Sequence, residues 1–183
     1  FRVGGAWRIV MLRPDGGTVR VLGKDMRTDR IAVLRQIGCL VDSPSLYTNL
    51  TAAQFLAIGQ SIKGLPSSEI GRVLELVNLQ DTGSARIATF SLGMKQRLAL
   101  AHAMLGQPRL LILDEPSNGL DPQGILETRE LLAQLPARAD CTVFVSSHQL
   151  DEVEKFATHL AVLHHGKVLC QEPIEDLKAR HPG

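Results

Sequence analysis

The sequence is poor in aromatic residues, which make up 4% of its 183 positions. So little Phe, Trp and Tyr leaves scant material for a base-stacking platform. Charge of one sign is lacking too: the formal net charge is +1, so nothing global points to nucleic acid as a partner. Long hydrophobic runs are missing. No segment approaches the roughly 20 apolar residues that span a bilayer, so a membrane role would come through a partner. The start shows no basic region leading into an apolar core and a cleavage site, and it reads as no secretory signal. Cysteine is scarce: Cys39, Cys141 and Cys170 are odd in number, widely spaced and set in apolar runs. They are expected to be buried free thiols of a reducing compartment, not a disulfide framework or a zinc site. No internal repeat or low-complexity tract is visible.

What is present is a core former. Hydrophobic residues make up 44% of the chain, and the length suits one domain, or one domain with a small subdomain. The organising stretch is Leu110 to Pro116. Four large aliphatic residues, Leu110 to Leu113, run without a break into Asp114, Glu115 and Pro116. A continuous apolar run of this kind reads as a strand buried on both faces of a parallel sheet. Pro116 stops it, because proline has no N–H to give to a ladder. The two acids then lie at the carboxyl end, where open α/β sheets bind ligands. There one carboxylate can hold a divalent cation and the other can polarise a water. The competing reading is a strand that ends in a surface Asp-Glu turn.

Residues 1–13 give no clear pattern. Gly4-Gly5 is too little for a phosphate loop, and Trp7 reads as a packing residue. From Pro14 the text becomes regular. Pro14 to Gly17 is a turn, Thr18 to Leu22 alternates as a half-exposed strand, and Gly23-Lys24-Asp25 closes it. Asp29 can cap a short helix through Leu34. Ile37 to Val41 is a second buried strand, ending at Asp42-Ser43-Pro44. Thr51-x-x-Gln54 is a capping box for a helix to about Ile62. Ser67 or Ser68 caps the next helix, whose Ile70, Val73, Leu74 and Val77 form one apolar stripe. These two helices look like an insert between sheet strands.

Ser91 is the natural N-cap of a helix to about Leu105, with Met94, Leu98, Ala101 and Leu105 on one face. A capping Ser, a Gly and free N–H groups at a helix start make an anion site, though an ordinary capped helix explains them as well. Asp121 and Pro122 open a helix to about Leu135. Cys141 to Val145 is the next buried strand, ending at Ser146-Ser147-His148, followed by a helix from Gln149 to about Ala157. Strands that alternate with helices in this way form parallel β-α-β units. Their carboxyl ends face one way, which brings Asp114, Glu115 and His148 to one edge. Leu160–Leu163 and Lys167–Cys170 pair across His164-His165-Gly166, a hairpin turn in preference to a metal site. Pro173 starts a short terminal helix.

These motifs, in this order, resemble the nucleotide-binding subunit of an ATP-binding cassette (ABC) transporter, over about Pro14 to Pro173. The resemblance implies an α/β, P-loop NTPase-like fold with a mostly parallel sheet. It implies a single ABC ATPase domain over 1–183, with a helical subdomain inserted at 45–90. Leu110 to Glu115 is similar to the Walker B strand, so Asp114 would help hold Mg²⁺ and Glu115 would orient the attacking water. Ser91 to Gln96 is similar to the family signature, usually Ser-Gly-Gly-Gln. Ser91, Gly93 and Met94 would then face the γ-phosphate of ATP bound on an opposite subunit. Leu92 and Met94 stand where Gly and Gln are usual, a variant associated with exporters of peptide antibiotics and related drugs. Ser117 to Asp121 is similar to the loop that crosses the dimer interface. His148 matches the switch histidine that contacts the γ-phosphate.

Asp42 falls where the family usually has a Gln that senses Mg²⁺ and the membrane partner. Contact through water with Mg²⁺ is one reading there, and a plain turn acid is the other. Residues 43–50 and the following helices would dock on a transmembrane permease. The implied partners are a second ABC ATPase subunit and that permease, with no nucleic acid. The implied location is cytoplasmic, peripheral on the inner face of the membrane. The family's phosphate loop, Gly-x-x-x-x-Gly-Lys-Ser/Thr, is not in the sequence, nor are the first strands with the adenine-stacking aromatic. That loop gives a lysine and a row of backbone N–H donors to the phosphates. The expectation is an active-type cassette whose amino-terminal coding sequence was lost, mis-started or misread before about Leu12. As written it would be impaired in ATP binding and marginally soluble. The alternative is a non-catalytic subunit that pairs with an intact ABC ATPase. A soluble ABC protein of ribosomes or DNA fits less well, since those usually carry two cassettes and basic extensions.

Overall fold

The computed structural model describes residues 15–41 and 45–180. The chain opens with a tight hairpin of β1 (Arg20–Val21) and β2 (Lys24–Asp25), followed by α1 (Arg30–Leu34). Leu22 and Gly23 both take positive φ, 51° and 77°, as a two-residue hairpin loop requires. Lys24 and Asp25 therefore form a second strand and do not merely close the first. Asp29 precedes α1 without a side-chain cap; its carboxylate accepts the Thr28 hydroxyl at 2.7 Å instead.

Next come β3 (Ile37–Leu40), α2 (Ala52–Lys63), α3 (Ser68–Leu76), α4 (Leu92–Ala103) and β4 (Leu110–Asp114). Then follow α5 (Pro122–Ala139), β5 (Thr142–Ser146), α6 (Leu150–Val153), β6 (His159–His164), β7 (Lys167–Pro173) and α7 (Ile174–Arg180). β4 lies between β3 and β5, parallel to both. Its Leu111 and Leu113 are fully buried, as the unbroken aliphatic run predicts. β6 and β7 pair antiparallel across His165 and Gly166, both at positive φ.

The two faces of the three-stranded sheet are covered unequally. Leu40, Leu111 and Leu113 join the main core with α2, α3, α4 and α5. On the other face, a small cluster of Met26, Val33, Ile37 and Ile112 covers only part of the surface. In register with Ile112 on that face stand Cys39 and Phe144, and both are exposed. So Cys39 is not a buried thiol, whereas Cys141 is buried and Cys170 is half-buried. Likewise β5 is not buried throughout. It pairs with β4 along one edge only among the described residues, and its Thr142 and Phe144 are exposed.

Helix boundaries follow packing. The Thr51 capping box is present: its hydroxyl accepts the Gln54 N–H at 3.2 Å, and Gln54 Oε1 accepts the Thr51 N–H at 3.0 Å. Ser67 precedes α3 without a side-chain cap. α5 continues through Pro136 to Ala139, beyond the expected end at Leu135. The missing N–H of Pro136 loses one helical bond, but Leu131, Leu132 and Leu135 are buried and hold the helix on the core. The helix after His148 is one turn, Leu150–Val153, and not a run to Ala157.

Side chains of α2 and α3 close the carboxyl end of α4, where helix carbonyls lack partners. Lys63 Nζ donates to Leu105 O at 2.8 Å and Arg72 Nη2 to Met104 O at 2.9 Å. Glu69, only 6% exposed, accepts the Gly106 N–H at 2.9 Å and two bonds from Arg72, at 2.8 and 2.7 Å. The Arg72 guanidinium, above all, pulls the Glu69 carboxyl down to about 2. His102 packs its ring on Phe55 with centroids 5.2 Å apart, and burial pushes its pKa down. α2, α3 and α4 are thereby bolted together at one end, while the Ser91 end of α4 is left to the site.

Candidate active site

Two strand ends build the site. Asp114 ends β4 and Ser146 ends β5, and the two are register partners. The Ser146 hydroxyl donates to Asp114 Oδ1. Glu115 then leaves the ladder at φ 47°, an uncommon conformation for a residue with a side chain. Its N–H still donates to Ser146 O at 3.0 Å. Two residues beyond Ser146, His148 Nδ1 lies 2.8 Å from Glu115 Oε1. An Nδ1–H donating to that oxygen leaves Nε2 without a partner among the described residues. His148 is largely exposed and Glu115 half-buried. The edge is thus wet on one side, and a shallow cleft beside Glu115 is lined by Ser117, Asn118, Ser147 and Gln149.

The expected convergence of Asp114, Glu115 and His148 is what the β4–β5 pairing produces. The parallel register explains it: the carboxyl ends of adjacent strands lie side by side. Among the described residues, no group of three or more His, Cys, Asp or Glu gathers as a metal cage. The donor set at the edge is carboxylate oxygen. That suits Mg²⁺, which is commonly held by one or two carboxylates together with substrate phosphates.

Ser91, Gly93 and Met94 form a separate turn at the start of α4. Ser91 caps the helix, its Oγ accepting the Met94 N–H at 3.1 Å. A Cβ placed on Gly93 would meet nothing closer than Ser91 Oγ at 3.9 Å, so this face is open to a ligand. Sequence reasoning gave Gln96 no role. Its Nε2 donates to Pro116 O at 2.9 Å, tying the turn's helix to the loop just past the acids. Asp121 caps α5 through the Gly124 N–H at 3.0 Å, so one of its oxygens is already committed. Asp42 lies outside the described residues. Ser146 was also missed. Aligning the two strand ends in register is the signal that finds it.

No helix among the described residues is long and apolar enough to cross a membrane. The family model described as ABC transporter matches residues 9–118. The chain is 42% identical over 172 residues to the bacitracin transport ATP-binding protein BcrA of Bacillus licheniformis, covering 93% of this chain and 56% of that protein. It is 40% identical over 142 residues to the lantibiotic transport ATP-binding protein SrtF of Streptococcus pyogenes, covering 78% and 62%. Among solved structures, cbiO1 from Clostridium perfringens, part of the ABC transporter complex cbiONQ, superposes with a TM-score of 0.85 at 25% identity. That match covers 94% of this chain and 72% of cbiO1. The chain spans little more than half the length of the curated relatives it matches. A parallel sheet with an acid pair and a histidine at its carboxyl edge, a capped Ser91 turn and a family match over more than half the residues lead to one conclusion: the chain belongs to the ABC transporter family.

Proposed function

We propose that this protein is the ATP-hydrolysing subunit of an ABC exporter for peptide antibiotics or related drugs. The observation that carries the hydrolytic part is the 2.8 Å contact of His148 Nδ1 with Glu115 Oε1 beside Asp114. Asp114 would hold Mg²⁺ through carboxylate oxygen, with Asp42 contributing through water. When bound, the ion neutralises the triphosphate's charge. Glu115 orients the attacking water and accepts its proton. His148 fixes the Glu115 carboxylate through Nδ1 and offers Nε2 to a phosphate oxygen. Ser91 and Gly93, with Met94 closing the turn, serve the phosphate of ATP carried by a second cassette, since a helix start favours anions. Asp121 shapes the loop that meets that second subunit.

The cargo class rests on the bacitracin and lantibiotic transport proteins to which the chain is similar. A helical subdomain at 45–90 would dock on a transmembrane permease. Tyr47 and Ile62, 60% and 81% exposed, support that surface. The protein would then sit on the cytoplasmic face of the membrane through its partner. The test is phosphate release at millimolar Mg·ATP. Glu115→Gln is expected to lower turnover at least ~100-fold, the scale of general base catalysis. Equal turnover in the two proteins would remove Glu115 from the chemistry.

A further inference from the structure

Ser146 touches both members of the acid pair. It ends β5 in register with Asp114, so their side chains point to the same face of the sheet. Its hydroxyl donates to Asp114 Oδ1, and its carbonyl oxygen accepts the Glu115 N–H at 3.0 Å. Its neighbours are committed elsewhere. Ser147 Oγ accepts the Gln149 N–H at 3.1 Å, and His148 binds Glu115. Among the described residues, no other side chain hydrogen-bonds the Asp114 carboxylate.

We propose that Ser146 is a positioning residue that sets the Asp114 carboxylate for a divalent cation. The inference rests on the reading of Asp114 as the metal-holding acid. An aspartate's terminal torsion is broad and roughly two-fold, so an unsupported carboxylate turns freely. A hydroxyl donor on Oδ1 selects one orientation and leaves Oδ2 for the ion. Hydrogen bonds to an ionised acceptor are about twice as strong as neutral ones. Mg²⁺ demands near-ideal octahedral geometry, so a ligand set in advance binds it better. Partners of this kind behind a metal ligand typically matter ~10–100-fold in affinity. Because the Glu115 N–H binds the carbonyl oxygen of the same residue, the end of β5 sets both acids. Only the Asp114 part depends on the Ser146 side chain.

The probe is Mn²⁺ alone, titrated into the ¹⁵N-labelled protein. The amide signals of Asp114 and Glu115 are followed against Gly64, which follows α2 where Lys63 ties it to Leu105 at the far end of α4, as a remote reference. In the wild type the two acid amides broaden at lower Mn²⁺ than Gly64. Ser146→Ala is expected to need ~10–100-fold more Mn²⁺ for the same broadening, with the Gly64 signal and melting temperature unchanged. Ser146→Thr keeps the hydroxyl and is expected to restore the wild-type response, and Asp114→Asn to abolish it. Wild-type response in Ser146→Ala, or no restoration in folded Ser146→Thr, overturns the positioning role; loss in Asp114→Asn then leaves the metal reading standing. No selective broadening in the wild type, or an unchanged response in Asp114→Asn, overturns the metal reading and the inference with it.

Discussion

Replacing Glu69 with Gln mimics its protonated state and isolates the contacts that bolt α3 to the end of α4. Glu69 is 6% exposed, and Arg72 holds its carboxyl near 2 against an ordinary 4.5. At about 1.4 kcal/mol per pKa unit, a depression of that size is worth roughly 3 kcal/mol of stability. Because the folded pKa is the lower one, this stability is present above about 4.5. It is lost as pH falls toward about 2. His102 acts in a different window. Burial lowers its pKa, so its penalty for charging grows as pH falls below the ordinary histidine value near 6.5. Urea unfolding at pH 7, 5 and 2.5 separates the two groups. Wild type and Glu69→Gln should lose stability in parallel from pH 7 to 5, where His102 of the unfolded chain takes up its proton in both. From pH 5 to 2.5 the wild type should lose about 2–3 kcal/mol more than the variant. Parallel curves across that lower window would refute the role given to the Arg72–Glu69–Gly106 contacts.

Asp121→Ala removes the cap of α5 and should cost ~1 kcal/mol in urea unfolding, with Asp121→Asn close to wild type. Gly38→Ala would drive a Cβ into the carbonyl oxygen of Ala103, a backbone atom with little room to move. It should cost about 1–3 kcal/mol and lower the melting temperature, whereas Gly71→Ala, which meets nothing within 4 Å, should not.

The central strand is legible in the sequence because burial on both faces leaves an unbroken aliphatic run, and Leu111 and Leu113 confirm it. The caps at Thr51, Ser91 and Asp121 are legible because each is a local contact over three residues. So is the edge shared by Asp114, Glu115 and His148, since β-α-β units pair their strands in parallel and set the carboxyl ends side by side. What escaped depends on contacts distant in sequence. Cys39 and Phe144 sit in apolar runs, yet their face of the sheet is thinly covered. Pro136 looks like a helix stop, but the buried leucines beside it carry α5 onward. The burial of Glu69 depends on Gly106, 37 residues away, which donates to it. Ser146 shows its use only through strand register, which no local pattern encodes.

The most direct test of the catalytic edge is to map where Mg·ATP changes the amide spectrum of this polypeptide. The expected perturbations fall on Asp114, Glu115, Ser146 and His148. Perturbations confined to the opposite end of the sheet, around Arg109 and Thr142, would contradict it.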